Sequence, residues 1–317
     1  MSQGRALNRR PLIAVVGATA TGKSDAAVAL AEALGGEVIS ADAYQVYRGL
    51  DIGTAKAGLD LRARVPHHLL DIADPGDQLT LARFLDAANA ALEEVWSRGR
   101  LPVLAGGSGQ YVWALLEGWN VPRVPPDAKL RAELEALAAR EGNAALVARL
   151  AEVDPEAAAR LDPDNPRRLV RAIEVVQREG RPLAACQTRS PIDADVLILG
   201  LRLPRDDLYA RLDARTDAMY AAGFVDEVLR LRAGGFGETA AVRGGVGYKE
   251  VSQYLDGEFD IEEAVRRHKN ANHRLVRRQH AWFKQTDPRI GWVEAGPEAA
   301  QRCVELARGW LAGRSAG

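Results

Sequence analysis

Short, almost wholly apolar runs alternate with longer stretches whose apolar residues recur every three or four positions, and this alternation organises the first third of the 317-residue chain. Residues 12–16 (Leu-Ile-Ala-Val-Val), 37–40 and 101–105 read as strands. Runs of this kind suit a parallel sheet, whose strands are covered on both faces. Helical spacing follows each of them, at residues 25–34, 80–97 and 110–116. In the second of these helices Leu81, Phe84, Leu85, Ala88, Leu92 and Val95 fall on one face. Gly35-Gly36 is a stop signal for the first helix. The alternation predicts an α/β domain with a parallel sheet flanked by helices.

The pattern changes at residues 120–127, where Pro122, Pro125 and Pro126 mark a boundary. From 127 to about 180 the chain is Ala- and Leu-rich and reads as helical throughout, broken at Asp154-Pro155 and at Asp162-Pro163-Asp164-Asn165-Pro166. Strand character returns at residues 196–201. The middle third is therefore predicted to be an all-helical insertion in the sheet domain: 1–122 first part of the core, 123–192 insertion, 193–317 second part of the core. Helices at 206–222, 225–232 and 261–284 and a strand at 290–293 complete the pattern. Neither repeats nor low-complexity tracts are evident.

Between the first strand and the first helix stand Gly17, Ala18, Thr19, Ala20, Thr21, Gly22, Lys23 and Ser24. This is the spacing of a phosphate-binding loop in its strand–loop–helix context. The glycines let backbone amides turn toward anionic oxygens, Lys23 adds a point charge, and the helix N-terminus adds its dipole. The Ser24 hydroxyl suits Mg²⁺. A ligand with a di- or triphosphate is expected here.

Composition narrows the class. Apolar residues make up 47% and charged residues 27%, ordinary for a globular enzyme. The two cysteines, Cys186 and Cys303, lack ligand spacing, so a disulfide framework or zinc site is unsupported and a reducing, cytoplasmic setting is expected. Basic residues near the N-terminus (1–10) precede no signal-like apolar segment, and no run is long enough to span a membrane. Net charge is −1, but residues 264–285 carry seven Lys or Arg and no Asp or Glu. A second cluster, Arg167, Arg168 and Arg171, opens a helix of the insertion. Two basic surfaces fit a polyanion gripped across a cleft, or else two solvated helix faces. Gly244-Gly245-Val246-Gly247-Tyr248-Lys249 reads as a flexible loop offering an aromatic ring and a cation.

Ligands of parallel sheets lie beyond the carboxyl ends of the strands. Asp42 has that address, as do Gly106-Gly107-Ser108. Asp42 is open to three roles: a turn cap, a general base, or a Mg²⁺ contact through water. The glycine pair either opens a helix or lets backbone approach a ligand. His67-His68 point to opposite sides of an extended chain, so a loop or packing role is the better reading than a metal site.

Taken in order, these motifs resemble those of the tRNA dimethylallyltransferases, also called tRNA isopentenyltransferases. The likeness rests on residues 17–24; on Ser40-Ala41-Asp42-Ala43-Tyr44-Gln45-Val46-Tyr47; on Asp51-Ile52-Gly53-Thr54-Ala55-Lys56; and on Val65-Pro66-His67-His68-Leu69-Leu70-Asp71. It continues through Gly106-Gly107-Ser108-Gly109-Gln110-Tyr111, Asp162-Pro163-Asp164-Asn165-Pro166-Arg167-Arg168, Gly247-Tyr248-Lys249-Glu250, and Arg278-Gln279 with Trp282-Phe283.

The resemblance implies a P-loop NTPase-like core and transfer of a dimethylallyl group from dimethylallyl diphosphate to N6 of the adenine 3′-adjacent to the anticodon. It implies that residues 17–24 hold the diphosphate with Mg²⁺ near Ser24. It gives Asp42 the amine proton, Ser108 a contact to the phosphates or reacting centre, and Arg215 the leaving group. It implies tRNA contacts from Asp42, Ala43, Tyr44 and Gln45; from Arg131; from Arg167, Arg168, Leu169, Val170 and Arg171; and from Gly247, Tyr248 and Lys249. Ala18 stands where the family has Pro, Ala43 where it has Ser, Ser108 where it has Thr, and Gln110 where it has an apolar residue. None removes a group the chemistry demands. The adenine must be splayed out of the anticodon loop to react. A monomer is expected. The alternatives are a small-molecule P-loop kinase using ATP and a nucleotide-dependent RNA-binding switch.

Overall fold

The computed structural model describes residues 9–315; of the basic N-terminal stretch, residues 1–8 lie outside the described residues. Strands β1 (Arg10–Gly17), β2 (Gly36–Ser40), β3 (His67–His68), β4 (Leu101–Gly106), β5 (Ala194–Arg202) and β6 (Ile290–Glu294) form one sheet in the order β3-β2-β4-β1-β5-β6. All neighbours are parallel. Val16 lies opposite Gly106, Ser40 opposite Ala105 and Gly17 opposite Leu201, so β1, β2 and β4 end level with one another. Their carboxyl ends make one rim.

Helices α1 (Lys23–Leu34), α2 (Leu59–Arg64) and α3 (Leu81–Ser97) connect the first four strands, and α4 (Gly109–Leu116) follows β4. The middle of the chain forms α5 (Ala128–Glu141), α6 (Asn143–Ala151), α7 (Pro155–Arg160), α8 (Pro166–Glu179) and α9 (Leu183–Cys186). After β5 come α10 (Arg205–Ala221), α11 (Phe224–Ala233), α12 (Ala240–Gly244), α13 (Tyr248–Leu255) and α14 (Ile261–Trp282), then β6 and α15 (Ala299–Ser315).

Leu12, Ile13, Ala14, Val15 and Val16 are completely buried, as a two-faced strand requires. Ala27, Leu30 and Ala31 of α1 pack in the same core as Cys303, Val304 and Ala307 of α15. The sequence pattern gave no helix for 299–315, and it read His67-His68 as loop. β3 is only two residues long, too short to show an alternation.

Two compact units divide the chain: 1–115 with 193–317, and 116–192. The helical unit thus begins at 116, not at the proline-rich 123. The chain segments entering and leaving it are bonded to each other, Asn120 N–H to Thr188 O (2.8 Å) and Ser190 N–H to Gly118 O (2.8 Å). Side chains of Asp127, Asp154 and Asn165 cap α5, α7 and α8, and prolines open α7 and α8. Leu134, Leu146, Leu150, Leu169, Ile173 and Val176 fill the unit's core.

Inside that unit lies a charged knot. Buried Glu174 accepts from Asp127 N–H (2.7 Å) and from Arg131 Nε (3.0 Å) and NH2 (2.9 Å), and it pairs with Arg171. Burial alone raises its pKa, but Arg131, Asp127 N–H and Arg171 outweigh that and hold the carboxyl down at about 2. A depressed carboxylate stabilises the fold above its unfolded value and loses that contribution as pH falls toward the folded one. Glu174→Gln is therefore expected to lower unfolding free energy at pH 7 by about 3 kcal/mol. The deficit should shrink between about pH 5 and pH 2 as wild-type Glu174 protonates. Urea titrations of both chains across that range check it; an equal deficit at every pH would contradict it.

Candidate active site

β1 ends on Gly17, whose φ is 139° and whose hypothetical Cβ would sit 2.4 Å from Leu201 O on the adjacent β5. Only glycine closes the strand there. The loop that follows carries a left-handed Ala20 (φ 68°) and a left-handed Gly22 (φ 88°), and α1 starts at Lys23. Such alternations curl successive amides into an anion-binding concavity. Thr21 Oγ1 donates to Ala18 O (2.9 Å), and Lys23 Nζ donates to the same carbonyl (2.6 Å), which arches the lysine back over its own loop. Ser24 is exposed on the first turn of α1.

Lys23 has no carboxylate partner within salt-bridge distance among the described residues. Burial, assisted by Arg215, pushes its ammonium down to about 8, while Asp42 works the other way. Arg215, on α10, likewise makes no hydrogen bond or ion pair among the described residues; burial lowers its pKa and Asp42 opposes that. Two poorly compensated cations therefore face one carboxylate.

Asp42 follows β2 directly. Its Oδ1 accepts from Tyr44 N–H (2.9 Å) and Gln45 N–H (3.2 Å), so it does cap a turn. Oδ2 has no hydrogen bond among the described residues. The turn is fixed from β4: Ala43 N–H donates to Ser108 Oγ (3.2 Å), and a Cβ on Gly106 would stand 2.2 Å from Ala41 O. Ser108 thus positions the residue beside Asp42.

A cavity of about 460 Å³ is lined by the loop residues Thr19, Ala20, Gly22, Lys23 and Ser24, by Asp42 and Gln45, and by Arg211 and Arg215. A second, of about 410 Å³, runs past Tyr44, Tyr111, Met219, Leu275, Arg278 and Trp282. Thr19, Asp42, Thr54, Gly107 and Arg215 line both. The anion-binding cavity and the more apolar one therefore meet at Asp42 and Arg215.

Of the motif residues expected at an RNA surface, Leu169, Val170, Gly247 and Tyr248 are buried, and Arg131 and Arg171 are tied to an internal carboxylate. Leu169 (0% exposed) and Val170 (7%) belong to the core of the helical unit, on the inner face of α8. Arg131 and Arg171 are engaged by Glu174. Arg167 and Arg168 are exposed and without ion pairs among the described residues. Residues 244–249 are not a flexible loop but the tight junction of α12 and α13. Tyr248 is 1% exposed, with its hydroxyl donating to Glu227 (2.6 Å) and its ring edge-on to Phe224, so it is core rather than a stacking platform. Gly247 is glycine because a Cβ would collide with the His268 ring at 2.4 Å. Lys249 is exposed. Tyr44 donates to Gly244 O (2.7 Å), and Gln45 braces the 54–55 backbone.

The basic helix α14 is partly neutralised from outside the 264–285 window: Glu263 pairs with Arg266 and Arg267, Asp217 with Lys269, and Asp213 with His273. Arg274 and Arg278 remain exposed without carboxylate partners among the described residues. His68 bonds Glu37 (2.7 Å) and His67 bonds Val65 O (2.9 Å), both packing contacts.

Two polar residues hold the site's loops in ways their sequence positions do not announce: Glu227, outside every motif, and Gln279, a motif residue with no role predicted for it. Buried Glu227 accepts from Asp51, Ile52 and Gly53 N–H (3.1, 2.7 and 3.2 Å) and so shapes the loop that carries Thr54. Gln279 of α14 bonds the phosphate loop and the Gly106-Gly107 turn. Each is a polar residue on the apolar face of a helix, which is the signal that marks them.

A family model described as IPP transferase matches residues 45–286, and one described as isopentenyl transferase matches residues 11–61. A tRNA dimethylallyltransferase of Roseiflexus sp. is 45% identical over 301 residues, covering 95% of this chain and 99% of the relative. One from Chloroflexus aurantiacus is 48% identical over 286 residues, covering 90% and 97%. Among solved structures, a tRNA isopentenylpyrophosphate transferase from Bacillus halodurans superposes with a TM-score of 0.70 at 37% identity, covering 97% of each chain. A eukaryotic dimethylallyltransferase described as acting on tRNA gives 0.82 at 25% identity, covering 96% of this chain and 80% of its own. These likenesses disfavour the ATP-using kinase. With a phosphate loop, a carboxylate and an arginine meeting on the rim of a parallel sheet, the chain belongs to the IPP transferase family, the tRNA dimethylallyltransferases.

Proposed function

We propose that the chain transfers the dimethylallyl group of dimethylallyl diphosphate to N6 of the adenine 3′-adjacent to the anticodon, with diphosphate leaving from the phosphate loop. The observation that carries this reading is the meeting of the two cavities at Asp42 and Arg215. The charged cavity suits the diphosphate of the donor and the more apolar one suits a base. Residues 17–24, Lys23 and Arg215 hold the diphosphate, whose negative charge grows as the C1–O bond breaks. The allylic C1 is attacked by N6, a C–N bond forms, and the N6 proton passes to Asp42 Oδ2. Ser108 keeps the Asp42 turn in place through Ala43 N–H.

Mg²⁺ fits this donor set: the Ser24 hydroxyl and Asp42 carboxylate line the same cavity. Among the described residues no group of three or more His, Cys, Asp or Glu gathers to make an all-protein cage. A small hard cation held by one hydroxyl, waters and phosphate oxygens is the usual arrangement. When bound it neutralises charge on the leaving diphosphate.

For RNA the reading uses Ala43, Tyr44 and Gln45 near the cavities, Lys249, and the exposed Arg167 and Arg168. The last two occupy the first turn of α8, where the helix dipole disfavours cations. Their placement is locally costly and suits a phosphate partner. Gly247 and Tyr248 shape the neighbouring core, and Arg131 and Arg171 act through Glu174. All proposed catalytic groups belong to one unit of one chain, so a monomer suffices. Action on tRNA gives a cytoplasmic place of work; among the described residues no helix is long and apolar enough to cross a membrane.

The deciding assay offers unmodified tRNA with labelled dimethylallyl diphosphate and, separately, with labelled ATP. Label from the prenyl donor should enter RNA; consumption of ATP alone would overturn the reading. Asp42→Asn keeps an acceptor for the Tyr44 and Gln45 amides but removes the base. It should lower kcat by about 10²- to 10⁴-fold with tRNA Kd nearly unchanged; parallel losses in both would argue against a base. Arg167→Ala should reduce the slope of log K for tRNA against log salt by about 0.7–0.9, the signature of one lost phosphate contact, and an unchanged slope removes the residue from the interface. Donor affinity should also fall as pH rises above about 8, where Lys23 loses its proton. Calorimetry with inorganic pyrophosphate from pH 7 to 9.5 reads this, and Lys23→Arg should flatten the profile.

A further inference from the structure

Gln279 lies on the inner face of α14, 7% exposed, and makes three hydrogen bonds. Its Oε1 accepts from Thr19 N–H (2.8 Å), and its Nε2 donates to Thr19 Oγ1 (3.2 Å) and to Gly107 O (3.1 Å). Both partners lie in the two loops that close the cavities, and both Thr19 and Gly107 line each cavity. None of the three bonds goes to a strand or to another helix. Gly107 must be glycine for this to happen, since a Cβ there would stand 2.4 Å from Nε2. A buried amide satisfied only by site loops is an expensive way to fill a core, because an apolar residue of similar size carries no desolvation cost. The expense is explained if the amide sets the site.

We propose that Gln279 is a positioning residue for the donor's diphosphate. The Thr19 hydroxyl accepts from Gln279 Nε2, so its own O–H hydrogen is left to point elsewhere. With Thr19 lining the cavity, that hydrogen becomes a donor to a phosphate oxygen. Oε1 fixes the Thr19 amide, and the bond to Gly107 O locks the phosphate loop of β1 to the turn after β4. Gln279 borders the second cavity but not the one assigned to the diphosphate, so toward the diphosphate it acts through Thr19. The proposal rests on the phosphate-loop reading above.

The test uses the full chain with inorganic pyrophosphate and Mg²⁺ in calorimetry, and unmodified tRNA in a separate binding titration. An ionised Gln279→Glu side chain still accepts from Thr19 N–H but donates to neither Thr19 Oγ1 nor Gly107 O, and it sets a negative charge beside the cradle. A protonated one restores a donor. Burial, with Gly107 O and Thr19 Oγ1 against the second oxygen, raises the pKa of that carboxyl above the ordinary range. Pyrophosphate affinity of Gln279→Glu relative to wild type should therefore fall about tenfold at pH 8 and recover toward wild type at pH 6. Gln279→Ala should lose a similar factor at both pH values. In a Thr19→Val background the Gln279→Ala loss should shrink, because the two residues act as a unit, and tRNA affinity should stay level throughout. Variants that bind pyrophosphate like wild type at both pH values would overturn the positioning role while leaving the phosphate loop intact. So would a pH-independent Gln279→Glu loss matched by weaker tRNA binding, the mark of a general structural defect. Wild-type chain that fails to bind pyrophosphate, or binds it equally after Lys23→Met, would instead overturn the phosphate-loop reading and the proposal with it.

Discussion

Poorly compensated positive charge at the carboxyl rim of a parallel sheet is the constraint on which the rest of the molecule depends. Lys23 gains one carbonyl, Ala18 O, and Arg215 no hydrogen bond among the described residues, while burial works against the charge of both. Desolvated cations are costly unless a counter-charge arrives. The fold maintains them because the surrounding backbone has no freedom to collapse. Gly17 and Gly106 pack directly against Leu201 O and Ala41 O, and β1, β2 and β4 end in register. The site is held open by the sheet and held charged because, among the described residues, no carboxylate but Asp42 works on both cations.

Carboxylates elsewhere show that the chain neutralises its cations where they serve only the fold. Lys56 is buried between Asp51 and Asp71, Arg131 and Arg171 meet on Glu174, and Arg98 and His68 share Glu37. Set against these, Lys23 and Arg215 line the anion cavity without a carboxylate partner among the described residues, and Arg167, Arg168, Arg274 and Arg278 are among the exposed cations that also lack one. A phosphate-bearing donor and a polyanionic acceptor supply what they lack. Asp42 sits between the two kinds: one oxygen belongs to its turn and the other is left for chemistry.

Much of this was legible in the sequence. The apolar runs at residues 12–16, 37–40 and 101–105 located the strands because both of their faces are covered, and the glycine and lysine spacing located the anion site. Asp42 could be placed at the rim by topology alone. What misled was the use of motif membership as a guide to exposure. Leu169 and Val170 lie beside two exposed arginines, yet with Ile173 and Val176 they keep the apolar spacing of α8 and are buried. The glycines at 244–247 read as flexibility, whereas Gly245 and Gly247 admit the rings of Tyr248 and His268 at close range. Glu227 and Gln279 had no local signal beyond polarity on a buried helix face, since their partners lie about 175 and 260 residues away in the chain. Long-range satisfaction of a buried polar group is invisible to periodicity.

Thermal unfolding of wild-type chain and Lys23→Met, each with and without pyrophosphate and Mg²⁺, decides whether Lys23 is a cation held in place for an arriving anion. A part-buried ammonium with no carboxylate partner among the described residues makes the ligand-free wild type the less stable of the two, and makes it the one that the ligand stabilises. Ligand-free Lys23→Met should unfold at a higher temperature than wild type, with little or no further rise on adding pyrophosphate. A ligand-free Lys23→Met less stable than wild type, with an undiminished pyrophosphate shift, would contradict it.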